Sequence, residues 1–310
     1  MKVYRGFSDK TLKKKKRCLA IGIFDGAHRA HARILRGVVR EAKRTRARSA
    51  VLTFDPHPQK VLSGDHKNPL ILMSLAHRLR VIASFGVAEA VVVPFNKKFS
   101  RVDRDTFLEK YLIDRLGVKM LAVGHDFRFG RGARGTTRYL AACSRRLGFK
   151  LFVCPPVKQK GRVISSTAIR RLIERGHLKQ AEKMLGRPVS VYGTVVRGRG
   201  RGRTLGFPTA NLDPHHETLP PEGVYAVRGE LDGKHLKGVM HIGKRPTFGE
   251  RDKRVEAHLF DWKRPLYGRE LEFFFVRKLR PTRHFKGPAE LIRAIRSDER
   301  RARRIFALQG

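Results

Sequence analysis

The sequence predicts two domains of different classes: an α/β domain built on a parallel sheet, and then a small antiparallel β-barrel with a C-terminal helix. The length of 310 residues suits two domains of ordinary size. In the first part of the chain, short and nearly continuous apolar segments alternate with helical segments, which is typical of a parallel sheet covered on both faces. In the last part, short strands separated by turn residues precede one terminal helix, which favours a barrel.

The elements of the first domain follow from these patterns. Strands are predicted at the apolar runs Arg17–Ile23, Ala50–Phe54, Ala88–Val93, Met120–Val123 and Leu151–Cys154. Helices are predicted at His31–Lys43, Ser74–Ser84, Asp103–Leu116, Ser165–Arg175 and Leu178–Leu185. The fourth helix begins with Ser and Thr, which favour a helix N-terminus.

The second domain is predicted to begin where the pattern changes. LGRPVSVYG (185–193) brings glycine and proline, so the predicted domains are residues 1–184 and 185–310. Strands are predicted at Val189–Val196, Gly223–Leu231, Leu236–Ile242, Val255–Asp261 and Glu270–Leu279. LDGK (231–234) is typical of a hairpin turn. The last helix is predicted at Ala289–Phe306.

The charge of the chain is strongly positive. There are 69 Lys and Arg residues against 27 Asp and Glu residues, a formal net charge of +42. Such a surface attracts polyanions, so we expect non-specific association with nucleic acid at low salt. The excess is spread along the chain and not confined to one tail, so a surface that simply accepts basic residues remains the alternative.

The cysteines and the hydropathy indicate the compartment. The three cysteines, Cys18, Cys143 and Cys154, fit neither a zinc site nor a disulfide framework, and buried thiols in a reducing compartment are expected. No segment reaches the length of a membrane span or has the form of a signal peptide. The sequence therefore predicts a soluble cytoplasmic protein, and it does not determine the oligomeric state.

The first candidate site is FDGAHRAH (24–31), which follows the first predicted strand and opens a helix. A glycine turn at this point places a helix N-terminus at the carboxyl edge of the sheet, where phosphate binds readily. His28 and His31 can donate hydrogen bonds there to a triphosphate. On the residues alone, a capping turn with two surface histidines remains possible.

The second candidate site is RGRGRGRTLGFPTANL (197–212), a loop whose backbone can approach a polyphosphate closely. It lacks the residue order of a P-loop, and the basic repeat alone would equally suit RNA. Further along, Glu256 alternates with Val255 and Ala257 and is predicted on the face opposite these apolar side chains. An exposed structural glutamate would show the same pattern.

Several segments together resemble a known family. GIFDGAHRAH resembles the GxFDGxHxGH signature of the nucleotidylyltransferase superfamily. The segments that follow in order are TFDPHP (53–58), GHDFRFGRG (124–132), ISSTAIRRLIERG (164–176), GRGRTLGFPTANL, GVYAV, IGKRPTF, EAHLFD and LYGRELEF. In this number and order they resemble the bacterial bifunctional riboflavin kinase/FMN adenylyltransferases, nearly end to end.

The resemblance implies both fold and activity. It implies a Rossmann-like nucleotidylyltransferase domain followed by an antiparallel flavokinase barrel with a C-terminal helix. The implied reactions are the ATP-dependent phosphorylation of riboflavin to FMN and the adenylylation of FMN to FAD. The implied partners are riboflavin, FMN and ATP with Mg²⁺, and no membrane is involved.

The resemblance also implies residue roles. His28 and His31 would bind the ATP phosphates and stabilise attack on the α-phosphorus. Glu256 would be the base that takes the proton of the ribityl 5′-hydroxyl, and Thr209 and Asn211 would hold Mg²⁺. The implied nucleotide-binding residues are Gly22, Phe24, Asp25, Gly26, Ser165, Ser166, Thr167, Arg170, Gly198 and Gly200. The implied flavin-binding residues are Asp55, His57, Pro58, Asp126, Phe127, Phe129, Arg245, Thr247 and Phe248.

Three positions depart from the family pattern. Ala30 stands where the signature has glycine, and its methyl group could crowd the phosphate or strain the turn if φ were positive. Thr136 and Thr137 follow Gly135 where the family often has Gly-Asp, and His241 stands where it usually has Asn. A riboflavin kinase with an impaired adenylyltransferase domain is therefore one alternative. A basic nucleic-acid-binding protein that reuses the fold is a more remote one.

Overall fold

A computed structural model describes residues 1–62, 71–198, 205–215, 217–244, 253–262 and 264–308. The chain divides into two compact units, residues 1–71 with 75–166, and residues 72–74 with 167–310. The first is an α/β unit and the second contains a barrel, so the predicted fold classes are confirmed. The domain boundary predicted between residues 184 and 185 stays a prediction.

The first unit is built on a six-stranded sheet in which all neighbouring strands are parallel. Its strands, in order across the sheet, are β1 (Lys2–Arg5), β4 (Glu89–Pro94), β3 (Arg48–Asp55), β2 (Arg17–Ile21), β5 (Val118–Gly124) and β8 (Lys150–Cys154). The sequence does not predict β1. Only Tyr4 of this edge strand is buried, so the strand carries no apolar run.

Helices cover both faces of this sheet. They are α1 (Arg29–Arg44), α2 (Pro58–Leu62), α3 (Leu75–Ser84), α4 (Arg104–Thr106) and α5 (Thr137–Arg146). The segment predicted as one helix from Asp103 to Leu116 begins as α4 and continues as a π-helix, Phe107–Arg115. Phe107, Leu108 and Leu112 of this π-helix lie in the core.

Short elements complete the first unit. They are the strands β6 (Arg128–Phe129), β7 (Gly135–Thr136), β9 (Lys158–Gln159) and β10 (Arg162–Val163), and the 3₁₀ helices Phe99–Arg101 and Arg131–Ala133. β6 pairs with β7, and β9 pairs with β10, each antiparallel.

The second unit contains a closed six-stranded antiparallel barrel. In order around the barrel, the strands are β11 (Ser190–Val196), β12 (Ala210–Asp213), β15 (Lys253–Leu259), β14 (Lys234–Lys244), β13 (Gly223–Leu231) and β16 (Glu270–Arg280). β16 pairs with β11 and closes the barrel. The sequence does not predict β12, because its four residues lie within a turn-rich segment.

Three helices belong to the second unit: α6 (Ser166–Glu174, except its first residue), α7 (Leu178–Leu185) and α8 (Pro288–Ala307). α8 packs on the barrel through Ala302 and Phe306, which contact a cluster that includes Val224 and Val239. The predicted C-terminal helix is therefore confirmed, and its apolar face is what holds it on the barrel.

Two observations concern the surroundings of the protein. Within the described ranges, the helices are all too short or too polar to cross a membrane. All three cysteines are described, and each is buried and outside any disulfide. Burial raises the pKa of the Cys18 and Cys154 thiols, which keeps them in the unreactive protonated form.

Candidate active sites

The first site lies at the carboxyl edge of the parallel sheet. β2 has β3 on one side and β5 on the other, so the strand order reverses at β2. Open α/β sheets bind ligands outside the carboxyl ends of their strands at such a point. The last residue of β3, Asp55, and the turns after β2 and β5, which carry His28 and Asp126, lie at this edge, so the fold gathers residues that are distant in sequence.

The two histidines lie at the N-terminus of α1. His28 is the N-cap, and its Nδ1 accepts a hydrogen bond from the backbone N–H of His31 at 3.4 Å. This bond leaves the proton of a neutral ring on Nε2. The two rings stack with centroids 3.7 Å apart, and the edge of Phe24 contacts His31. Two imidazoles are thus fixed side by side at the positive end of a helix dipole.

The turn before α1 is held in an unusual backbone conformation. Phe24, Gly26 and Ala27 all have positive φ angles, of 56°, 78° and 35°. Phe24 and Asp25 are buried, and the Ser166 hydroxyl donates to the carbonyl of Asp25 at 2.8 Å. Non-glycine residues with positive φ persist only where their surroundings fix them, so this turn is a pre-formed part of the site.

Ala30 does not strain the turn. It is the second residue of α1 and is absent from the residues with positive φ, so a methyl group is compatible with its backbone. The strain that the glycine-to-alanine departure could cause is therefore not present. The departure at Thr136 also has a local explanation, because the Thr136 hydroxyl caps α5 by accepting from the N–H of Tyr139.

Sequence reasoning missed Arg78. This side chain on α3 is 4% exposed and donates from Nη2 to the carbonyl of Phe54 at 3.1 Å, at the end of β3. Burial lowers the pKa of Arg78, while the carboxylates of Asp25 and Asp55 oppose that effect. A buried cation therefore faces the carboxyl edge of the sheet. The sequence does contain a sign of this burial, because Arg78 falls on the same helical face as the apolar residues Val81 and Ile82.

The residues predicted to bind flavin occupy different environments. Asp55 and Asp126 are exposed at the sheet edge, and His57 caps the short helix α2 by accepting from the N–H of Gln59. Phe127 is half-buried and stacks on Phe129. Phe129 itself is buried in the core against Phe107, so packing accounts for it, and its role toward flavin stays a prediction.

An aromatic cavity of about 700 Å³ opens at the carboxyl ends of β1 and β4. Phe7, Phe99 and Tyr111 line it, and the ring centroids of Phe7 and Tyr111 are 4.5 Å apart. Pro94, at the end of β4, also lines the cavity and is the register partner of Asp55. The sequence patterns did not single out these aromatic residues as site residues.

The remaining predicted residues, for nucleotide and for flavin, fall into three groups. Ser165 and Ser166 belong to the first unit, and Gly22 packs against the ring of Phe24. Thr167 and Arg170 belong to the second unit. Gly200, Arg245, Thr247 and Phe248 lie outside the described residues.

The second site is centred on Glu256 in β15. Its register partners are Asn211 of β12 on one side and His241 of β14 on the other. Val255 and Ala257 are fully buried, whereas Glu256 is not, as the alternating pattern predicts. Three polar side chains from three strands therefore form a row on one face of the barrel wall.

The guanidinium groups of Arg254 and Arg280 lie near this row. Nη2 of Arg254 lies 2.7 Å from Oε1 of Glu256 and donates to Oδ1 of Asn211 at 3.4 Å. Burial lowers the pKa of His241, as do the nearby guanidinium groups of Arg280 and Arg254, while the Glu256 carboxylate has the opposite effect. His241 is therefore a neutral imidazole at neutral pH.

Three cavities lie in this part of the barrel, and residues of the row line the first and the third. The first, of about 380 Å³, lies between the barrel wall and α8 and is lined by Thr209, Asn211, His241, Glu256, Leu291 and Ile295. The second, of about 420 Å³, is lined by Thr209, Ala210, Ala257, Trp262, Leu266 and Tyr267. The third, of about 210 Å³, is lined by Arg197, Gly198, Asn211, Leu212, Arg254 and Val255. Thr209 joins the first two, and Asn211 joins the first and third.

Gly198 has a steric reason to be glycine. A Cβ atom at this position would overlap the side-chain amide of Asn211. Gly198 can therefore lie directly against the amide of Asn211 because it has no side chain.

The two units together define a class of protein, an enzyme with one nucleotidyl-transfer site and one phosphoryl-transfer site. The family model described as FAD synthetase matches residues 10–168, and the one described as riboflavin kinase matches residues 185–306. The chain belongs to the family of bifunctional riboflavin kinases/FMN adenylyltransferases and carries both domains. The resemblance drawn from the sequence motifs is thereby confirmed.

Similar proteins span the whole chain. The bifunctional riboflavin kinase/FMN adenylyltransferase of Escherichia coli strain K12 is 37% identical over 310 residues, which cover 99% of each chain. The enzyme of the same description from Bacillus subtilis strain 168 is 32% identical and covers 94% of this chain and 93% of its own. A solved structure of a protein described as a macrolide-efflux protein from Streptococcus pneumoniae superposes with a TM-score of 0.82. It is 28% identical and covers 98% of this chain and 99% of that one.

Proposed function

We propose that this chain converts riboflavin to FMN at Glu256 and converts FMN to FAD at His28 and His31, with ATP as the donor in both steps. The observation that carries the assignment of residues is their placement. The stacked histidines lie at the N-terminus of the helix at the switch point of the sheet, and Glu256 lies beside Asn211 in a cavity.

In the adenylylation step, a phosphate oxygen of FMN attacks the α-phosphorus of ATP while the bond to the bridging oxygen breaks and pyrophosphate leaves. The nucleophile is already an anion, so no base is required. His28 and His31 donate hydrogen bonds to the phosphate oxygens, where negative charge increases in the transition state. The N-terminus of α1 and the buried guanidinium of Arg78 add positive potential at the same edge.

The isoalloxazine ring of FMN occupies the aromatic cavity at the ends of β1 and β4. Two to three strand spacings separate these ends from the end of β2, roughly 10–14 Å at 4.8 Å per strand. The extended ribityl phosphate chain of FMN can span such a distance. Phe7, Phe99 and Tyr111 provide stacking surfaces, and Asp55 lies between the ring and the histidines.

In the kinase step, Glu256 accepts the proton of the ribityl 5′-hydroxyl as that oxygen attacks the γ-phosphorus and ADP leaves. Glu256 lines the cavity between the barrel and α8, so riboflavin lies there against Leu291 and Ile295. The adenine occupies the second cavity, beside Trp262 and Tyr267, and Thr209 lies where the two cavities meet. This arrangement aligns hydroxyl and phosphate, which supplies much of the rate of phosphoryl transfer.

The residues of this site fit Mg²⁺. Thr209 and Asn211 carry hard oxygen donors on one wall of the cavity, and residue 198, which has no side chain, leaves room for the amide of Asn211. These two side chains would hold the ion together with phosphate oxygens and water. When bound, it would neutralise charge on the phosphates of ATP.

The proposal includes a cytoplasmic location, where riboflavin and ATP are both available. Three buried thiols, none of them in a disulfide, are consistent with a reducing compartment. The alternative of a kinase with an impaired adenylyltransferase domain is less well supported, because Ala30 lies in regular helix and both histidines are in place.

Product analysis tests the proposal. Wild-type protein with riboflavin, ATP and Mg²⁺ should form FMN and then FAD, separated by chromatography. His28→Ala should reduce FAD formation by at least about 100-fold and leave FMN formation unchanged. Glu256→Gln should reduce FMN formation by about 100-fold or more and leave FAD formation from supplied FMN unchanged. Loss of both activities in either folded variant would contradict two separate sites.

A further inference from the structure

Arg254 makes contacts that no step of the proposed mechanism uses. A single nitrogen, Nη2, lies 2.7 Å from the carboxylate of Glu256 and 3.4 Å from Oδ1 of Asn211. The guanidinium thus contacts two groups at once: the carboxylate that would accept the proton, and the amide oxygen that would hold the metal ion. In this arrangement Glu256 is paired with a cation and is not directed at a hydroxyl group.

The side chain of Arg254 also borders a second region that it can enter. It lines the cavity that contains Glu256 and also the separate cavity formed by Arg197, Gly198 and Asn211. Its side chain is 34% exposed, so the guanidinium is not locked by packing. The latter cavity is the third one described above, and Arg197 and Gly198 begin the loop that is predicted to carry the ATP phosphates.

Electrostatics favours an exchange of partners when nucleotide binds. A triphosphate carries several negative charges and presents oxygen pairs that match a guanidinium, whereas Glu256 offers one charge. A divalent cation at Asn211 would in addition repel a guanidinium that donates to the same oxygen. Both effects move Arg254 away from Glu256 and toward the phosphates.

We propose that Arg254 is a positioning residue that stays paired with the Glu256 carboxylate until a nucleoside triphosphate binds, and that it thereby couples riboflavin binding to nucleotide binding. The inference rests on the proposed roles of Glu256 and Asn211. In the absence of nucleotide, the 5′-hydroxyl of riboflavin competes with Arg254 for the carboxylate. With nucleotide bound, Arg254 contacts phosphate and Glu256 accepts the hydrogen bond of the hydroxyl.

The coupling is measurable by riboflavin fluorescence. Riboflavin is titrated with full-length protein, with and without the non-hydrolysable ATP analogue AMP-PNP and Mg²⁺. For wild-type protein we expect riboflavin to bind about tenfold more tightly when the analogue is present, a coupling within the usual range. In Arg254→Gln the two affinities should agree within about twofold, and the KM for ATP should rise while FAD formation from FMN stays unchanged. Arg254→Lys keeps the charge and should restore part of the coupling.

Arg269→Gln is the matched control. Arg269 forms an ion pair with Asp232 at 2.6 Å on the same barrel and lines none of the three cavities. It should keep the wild-type coupling, and circular dichroism should show that both variants are folded. If wild-type protein lacks coupling, or if folded Arg254→Gln keeps it, the inference is overturned. A wild-type protein that forms FMN in a Glu256-dependent way but shows no coupling would reject the role of Arg254 alone.

Discussion

At the scale of single residues, the kinase site depends on a missing side chain. Gly198 lies so close to Asn211 that even a methyl group would displace the amide. Asn211 in turn is the register partner of Glu256. Gly198 thus leaves space for the side-chain amide of Asn211, next to Glu256.

Gly198→Ala should therefore impair only one activity. We expect FMN formation to fall at least about tenfold, because misplacing one group by about 1 Å weakens the alignment of hydroxyl and phosphate. FAD formation from FMN should not change. Gly37→Ala is the control, since a methyl group there meets no atom within 4 Å. It should leave both activities intact, and the assay of FMN and FAD formation checks both variants.

His241 gives the kinase domain a dependence on pH. Burial lowers the pKa of His241 below its ordinary value of 6.5. The unfolded chain therefore binds a proton at higher pH than the folded chain does, and stability is lost as the pH falls below about 6.5. Urea unfolding of wild type and His241→Asn at pH 7.5 and 5.5 measures this effect. The substitution should reduce the loss of stability on acidification, and an equal loss in both proteins would show that His241 does not titrate in this way.

At the scale of elements, a buried ion pair joins the barrel to the helix that forms one wall of the cavity that contains Glu256. Asp298 of α8 is 3% exposed, and Nη2 of Arg280 at the end of β16 lies 2.8 Å from its Oδ2. Both residues line the cavity that contains Glu256. The position of α8, and with it the width of this cavity, depends on the pair.

Asp298→Asn should destabilise the barrel domain by about 3 kcal/mol, because the substitution leaves a largely buried guanidinium without its counter-charge. We expect the KM for riboflavin to rise as α8 loosens. Asp261→Asn breaks an exposed pair between Arg303 of α8 and the barrel and should cost less than about 1 kcal/mol. Chemical denaturation and riboflavin kinetics distinguish the two, and equal effects would contradict the special role of the buried pair.

At the scale of the whole molecule, the net charge of +42 far exceeds the few cations that the proposed reactions use. Part of it forms a regular surface on α1, where Arg33, Arg36, Arg40 and Lys43 are exposed and recur at helical spacing. None of these four pairs with a carboxylate within the described part of the chain. They form a row of uncompensated cations about 15 Å long.

We expect this row to bind nucleic acid without sequence preference. Binding of a fluorescent DNA duplex should weaken steeply with salt, and replacing the four residues with Gln should reduce the slope of log K against log[salt] by about three. FMN and FAD formation should not change. Binding that is insensitive to salt, or a slope that the substitutions do not alter, would assign the charge to general surface composition.

The sequence alone determined the two fold classes, most of the helices and strands, and the family. These features are encoded locally, in apolar periodicity and in motifs of a few residues, and they do not depend on which distant segments meet. The roles of His28, His31 and Glu256 also came from motifs, and the domain boundary and those roles stay predictions.

Only the tertiary structure decided which residues surround these groups. β1 and β12 are strands because their partners supply hydrogen bonds, since neither carries a sufficient apolar pattern of its own. Arg78 reaches the sheet edge from α3, and Arg254 reaches Asn211 across 43 positions of sequence. Such contacts depend on strand order and register. These arise from the packing of the whole chain and cannot be predicted from any short segment of sequence.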